Sequence, residues 1–220
     1  MKAISHDITH LYQPTNISCG QSVVSMLLSA YGVEVDVKDV MRDVPMLKND
    51  KKKEWGTFGV DLVRYCMKKG FDATYVSFDC LITDQKWATL GARSLRSKFA
   101  AKKLALSFDD ALTKSFIRSY RDFLAEKGEL LIQPRLTSVL LYRQLKRGPV
   151  IACITFAALY GRGTGTHFVV IYGNDKKGNF LIADPWEKPG RHVVEPERLI
   201  AAVMAAQMTC ENAVFWIHKK

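Results

Sequence analysis

The chain has 220 residues and a net charge of +10, with hydrophobic residues at 48% and charged residues at 25%. That balance describes a globular chain with enough length for a real core, and no internal repeat or low-complexity tract appears in it. No apolar run approaches the ~20 residues of a membrane helix, and the opening "MKAISHDITH" lacks the apolar centre of a secretory signal. A cytoplasmic protein is therefore the expectation; a bacterial effector exported by a signal-independent route has the same appearance. The positive charge admits acidic partners, but no nucleic-acid reader motif accompanies it.

The first predicted helix runs from Cys19 to about Tyr31. Val23, Val24, Met26, Leu27, Leu28 and Tyr31 form a broad apolar face, and Gly32 stands where a left-handed cap belongs. "VEVDVKDVMRDV" reads as a short extended piece followed by a small helix, and "KNDKKKE" as a solvated loop. "GVDLVRYCMKKG" is a second amphipathic helix stopped by Gly70, and "FDATYVSF" alternates as a strand does. Residues 84–135 read as mostly helical and polar. The clearest helix there is "DDALTKSFIRSYRDFLAEKG", with Asp109 and Asp110 at its start and Gly128 at its end. "TSVLLYRQLKRG" is a short helix capped by Thr137 or Ser138.

The final third turns to β-structure: "PVIACITF", "HFVVIYG", "NFLIADP" and "AVFWIHK", with "NDKKG" as the hairpin turn between the middle two. A helical first half and a β-rich second half predict two lobes with a cleft between them, where sites usually lie.

The cysteines are Cys19, Cys66, Cys80, Cys153 and Cys210. An odd number with no C-x-x-C pair points to reduced thiols, three or four of them in the core. Cys19 differs in its position at a helix start, where unpaired N–H groups and the helix dipole favour a thiolate. Gly20 is expected to leave room for a substrate. The Cys19 N–H and the side-chain amide of Gln13 are candidate donors to a developing oxyanion. Of five histidines, only His167 opens a strongly apolar strand. A nucleophilic thiol needs a base held by a third group. A turn centred near residue 175 or 176 predicts His167 directly opposite a position near 184, where Asp184 stands within reach of a hydrogen bond. A one-residue slip would put the two side chains on opposite faces. The plainer readings are a core histidine, a strand-end aspartate before Pro185 and a buried helix-start cysteine.

Together, Q-x5-C-G leading into a helix, "LKRGPVIACI", "HFVVIYG" and "ADP" resemble the papain-like cysteine peptidases, and more narrowly the C39-like peptidases. "GVDLVRYCMKKGF" resembles that family's second helix. The resemblance covers about residues 11–75 and 137–187. It implies an α+β two-lobe fold with a helical N-terminal lobe, an antiparallel β C-terminal lobe and the active site between them. It also implies Cys19 as nucleophile, His167 as general base, Asp184 as the residue that orients the imidazole, and Gln13 as oxyanion donor. The substrate is then a peptide or protein cut at a peptide or isopeptide bond through an acyl-thioester. The same four residues would serve a protein-glutamine deamidase or acyl transferase, and a non-catalytic peptide-binding module is a third reading. Family members that process exported peptides after a double glycine are usually fused to a membrane transporter, and no membrane span is present here.

The whole chain is expected to be one such domain with a basic helical insertion at about 84–135. Between Gln85 and Phe108 the insertion carries Lys86, Arg93, Arg96, Lys98, Lys102 and Lys103 and no acid. This is either a solvated helix face or a docking surface for an acidic partner. "GRGTG" lacks the ending of a phosphate loop and is expected to be a mobile lip over the cleft. Trp186 is expected either to shield the His167–Asp184 pair from water or simply to lie half-buried against the strand. No cluster has metal-ligand spacing, so neither metal nor cofactor is predicted.

Overall fold

A computed structural model describes residues 1–48, 54–80, 82–101, 110–208 and 211–220. In chain order the first elements are β1 (Ile4–Ser5), α1 (Cys19–Ser29), α2 (Val37–Asp43), β2 (Leu47–Lys48), β3 (Glu54–Gly56), α3 (Gly59–Lys68) and β4 (Phe71–Ser77). Then come α4 (Ala92–Ala101), α5 (Asp110–Ala125), β5 (Glu129–Ile132), α6 (Ser138–Leu145), β6 (Val150–Thr155) and α7 (Phe156–Tyr160). The last are β7 (Thr166–Asn174), β8 (Phe180–Ala183), β9 (Arg191–Val194), α8 (Pro196–Met204) and β10 (Ala213–Lys219). Among the described residues, no helix is long and apolar enough to cross a membrane.

Seven strands lie side by side in the order β5-β4-β10-β6-β7-β8-β9, and β1 adds to the far end of β7. All pairings are antiparallel except β4 with β5. Two cores cover the two faces. Val23, Leu27, Leu62, Tyr75, Phe123 and Phe215 belong to one, where α1, α3 and α5 pack. Leu141, Leu145, Ile154, Ile171, Leu199 and Val203 belong to the other, under α6 and α8. Residues Gly20 to Leu28 of α1 are all buried, so this helix runs through the interior, and Gln21, Ser22 and Ser25 form a buried polar stripe along it. It ends as its glycine predicts: Gly32 takes φ +77° and its N–H donates to Ser29 O at 3.0 Å.

The α+β architecture agrees with the expectation, with differences in detail. The helical and β-rich parts of the chain share one sheet, because β4 and β5, which lie among the helices in sequence, join it through β10. Within the polar 84–135 stretch, Glu129–Ile132 is a strand: Leu130 and Ile132 are buried against β4, which an alternation of only four residues signals weakly. The two ends of "KNDKKKE" pair as β2 and β3, and residues 49–53 lie outside the described set. Cys66 and Cys153 are buried, as core thiols should be, whereas Cys80 is exposed; Cys210 lies outside the described residues. Of the basic residues in the insertion, Lys86, Arg93, Arg96 and Lys98 are exposed, while Lys102, Lys103 and the predicted helix start at Asp109 lie outside the described residues. β1, β9 and α8 are additions to the predicted set.

Candidate active site

Cys19 is the first residue of α1 and is half-buried. Gly20, next to it, faces inward: a Cβ there would meet Leu62 Cδ1 at 2.8 Å and Thr57 Cγ2 at 2.9 Å. Its smallness serves the close approach of α1 to α3 rather than room for a substrate, which corrects the sequence reading.

His167 is the second residue of β7 and lies opposite Ile154 of β6. Asp184 follows β8 directly, and its N–H donates to Gly190 O at 2.8 Å. The hairpin does not place the two in direct opposition as expected. Its turn is Asp175–Asn179, where Asp175 Oδ1 accepts the Asn179 N–H at 2.8 Å, so the centre falls at Lys177. Pairing starts as Asn174 with Phe180 and Gly173 with Leu181, then shifts by one at a β-bulge to Ile171 with Ile182 and Val170 with Ala183. Continued, that register sets Asp184 opposite Val169, diagonal to His167 and on the same face. Without the bulge Asp184 would stand opposite Val170 and point to the other face. A diagonal pair is within reach of an imidazole and a carboxylate, and His167 Nε2 lies 2.8 Å from Asp184 Oδ1.

Asp184 is fully buried and His167 is 3% exposed. Asp184 Oδ1 also accepts the N–H groups of Trp186 at 2.7 Å and Glu187 at 3.0 Å. Asp184 Oδ2 accepts from the Tyr160 hydroxyl at 2.5 Å. The His167 ring stacks on Phe156, with centroids 4.6 Å apart and planes at 26°.

The N-terminal arm is tied to the same turn. The Asp184 carbonyl accepts from His10 Nε2 at 2.8 Å, and the Gln13 N–H donates to Pro185 O at 2.8 Å. This brings Gln13 into the cleft with Cys19 and His167. The Gln13 amide donates from Nε2 to Thr15 O at 2.5 Å, and among the described residues its buried Oε1 has no partner. The Thr15 carbonyl settles which amide atom is nitrogen, since an oxygen there would face an oxygen. One of the two Nε2 hydrogens is thereby used.

Burial opposes charge on all three groups, yet their mutual contacts overcome it. Burial would raise the Cys19 thiol, but the hydrogen bond and positive charge of His167, with the N–H groups of Phe168 and Gly20, hold it below its ordinary value. Burial would lower His167, but Asp184 and Cys19 push it up to about 9. Burial would raise Asp184, but His167, Tyr160 and the Trp186 N–H bring it down to about 2. The set therefore favours a thiolate, an imidazolium and a carboxylate.

The cleft has a volume of about 510 Å³ and is walled by Ile17, Leu47, Thr57, Phe156, Phe168 and Trp186 among others. Trp186 is 49% exposed, and the contact it makes with Asp184 is through its backbone N–H. Arg162 of the glycine-rich stretch and Glu187, both lining the cleft, form an ion pair at 2.5 Å. Among the described residues no group of three or more His, Cys, Asp or Glu side chains is arranged to hold a metal ion.

Sequence reasoning missed Phe156, Tyr160 and His10. A signal existed for the first two: aromatic residues at i and i+4 ahead of Gly161, a glycine at φ +70° that ends a helical turn.

No sequence model of a known family matches the chain, and no curated protein matches it. Solved structures do. A protein described as a C39-like peptidase from Bacillus anthracis is 12% identical, with 100% of this chain and 99% of that one covered at a TM-score of 0.57. The peptidase domain of Streptococcus ComA, a bifunctional ABC transporter of a quorum-sensing pathway, is 13% identical over 97% of this chain and 100% of its own, at 0.48. A double-glycine-motif protease from an AMS/PCAT transporter, solved with its leader peptide, is 12% identical over 100% of this chain and 99% of its own, at 0.49. The Bacillus anthracis likeness defines the fold: the chain has the papain-like architecture of C39-like peptidases.

Proposed function

We propose that this protein is a cysteine peptidase that hydrolyses a peptide or isopeptide bond through Cys19, His167 and Asp184. One observation carries the reading: a thiol at a helix start shares a cleft with an imidazole whose Nε2 is committed to a buried carboxylate at 2.8 Å. The fold likeness to a C39-like peptidase supports it. The 84–135 segment belongs in this reading as an insertion within one domain.

In the proposed reaction the Cys19 thiolate attacks the carbonyl carbon of the scissile bond. With Nε2 engaged by Asp184, Nδ1 is the His167 atom left for the thiol and the leaving group. The negative oxygen of the tetrahedral intermediate takes hydrogen bonds from the Cys19 N–H, which has no partner within the helix, and from the second Nε2 hydrogen of Gln13. His167 gives its proton to the departing amine, leaving a thioester on Cys19. A water then loses a proton to His167 and attacks the thioester, releasing the acid and restoring the thiolate–imidazolium pair. Asp184 stays ionised and holds the ring.

The test incubates the purified protein with a peptide library and reads the products by mass spectrometry. The reading expects new chain ends from the wild type and none from a Cys19→Ala variant that keeps its melting temperature. Glutamine converted to glutamate in intact chains would replace peptidase by deamidase. Equal cleavage by Cys19→Ala, or no product from the folded wild type, would overturn the reading.

A further inference from the structure

We infer that Tyr160 is a positioning residue of the Cys19–His167–Asp184 set, acting through Asp184; the inference rests on the peptidase reading for its kinetic consequences. The two oxygens of the Asp184 carboxylate have unequal surroundings. Oδ1 accepts from three donors: His167 Nε2, the Trp186 N–H and the Glu187 N–H. Oδ2 accepts from Tyr160 Oη at 2.5 Å, and the whole residue has no exposure to water. A buried carboxylate oxygen stripped of its donor is costly, so a carboxylate without Tyr160 would turn to share the donors now facing Oδ1. That rotation would carry Oδ1 away from the imidazole.

The placement of Tyr160 follows from the chain. β6 runs straight into the short turn of helix α7, so Phe156 and Tyr160, four residues apart, stand one turn from each other with ring centroids 5.9 Å apart. Phe156 stacks on the His167 ring while Tyr160 reaches the carboxylate that the same ring binds. One helical turn thus sets the plane of the base and the orientation of its partner. The Tyr160 and His192 rings meet edge-on, with centroids 5.6 Å apart and planes at 60°.

Tyr160→Phe keeps these ring contacts and removes only the hydroxyl. Its expected effect is a kcat lower by about 10-fold with KM within about 2-fold, since the hydroxyl lies behind the triad and not on the substrate. Two readouts need no substrate. The downfield proton resonance of the His167 Nε2–Asp184 hydrogen bond should shift or broaden in Tyr160→Phe. The rate of Cys19 alkylation by iodoacetamide near neutral pH should fall by about 10-fold, and the same substitution should have no added effect in an Asp184→Asn background. A folded Tyr160→Phe with unchanged resonance and alkylation would overturn the inference. So would an equal loss in the Asp184→Asn background, because Tyr160 would then act by another route. If the wild type cleaves no peptide, the peptidase reading fails, and the resonance and alkylation measurements still decide the role of Tyr160.

Discussion

Among the described residues, the ionisable side chains at the cleft and those on the α3 and α5 side of the sheet are shifted in opposite senses. At the cleft, Cys19 lies low, His167 is pushed up to about 9 and Asp184 is held at about 2. On the α3 and α5 side of the sheet, burial raises Glu211 to about 8, although it accepts from the Gly59 N–H at 2.5 Å and the Tyr75 hydroxyl at 2.9 Å. Asp61 and Asp79 add like charge there, and burial drives Tyr75 and Tyr120 well above their ordinary range. Among the described residues no salt bridge reaches Glu211, whereas Asp184 faces a histidine. The thiols repeat the contrast: burial pushes Cys66 up to about 12, while Cys19, beside His167, moves down. Burial alone selects neutral forms; a cation built into the same interior selects ions. That difference sets the Cys19 thiol apart from the packing thiol of Cys66 in a single chain.

Removing the cation should break the contrast most strongly. His167→Ala is expected to lower kcat/KM on any cleaved peptide by about 10³-fold or more, since both the thiolate partner and the proton carrier are lost. Asp184→Ala should cost less, about 10²-fold, because the ring remains while its orientation does not. Steady-state assays of the two variants check the order, and a larger loss in Asp184→Ala would reverse the assigned roles.

The second set sharpens the contrast through stability. Glu211 is raised in the folded state to about 8 from an ordinary 4.5. Its contribution is therefore fully present below about pH 4.5 and is lost as pH rises through about 8. Between pH 5 and 6.5, before the raised His167 enters its own window, this amounts to roughly 2 kcal/mol of falling stability, at about 1.4 kcal/mol per pH unit. Glu211→Gln removes the titration. Urea unfolding at pH 5 and pH 6.5 should show a smaller loss in the variant than in the wild type, and equal slopes would place the Glu211 carboxyl in the ordinary range.

The parts of the site that sequence could show were those marked by local chemistry. Cys19 before a glycine-capped apolar helix, His167 opening an apolar strand and Asp184 before a proline each carry their signal in a few neighbouring residues. What joins them does not. The bulge at Tyr172 that returns Asp184 to the face of His167 leaves no mark in an unbroken run of strand formers. Direct opposition was the natural expectation from an ideal turn. Tyr160 stayed hidden because "PVIACITFAALYG" reads as one apolar stretch, and only the packing of α7 turns its hydroxyl toward the carboxylate. Strand β5 was obscured because its pairing partner β4 lies over fifty residues earlier. Helix α8 was more legible than the reading allowed, with Pro196 at its first turn and Glu197 beside it.

The most direct measurement is the pH dependence of Cys19 alkylation, followed by peptide mapping after brief exposure to iodoacetamide. In the folded protein the Cys19 rate should reach half its plateau below the pH at which the same cysteine does so in the urea-unfolded chain, while Cys66 stays unlabelled. A folded-state curve for Cys19 that coincides with the unfolded one, or lies above it, would contradict the thiolate–imidazolium pair on which the account depends.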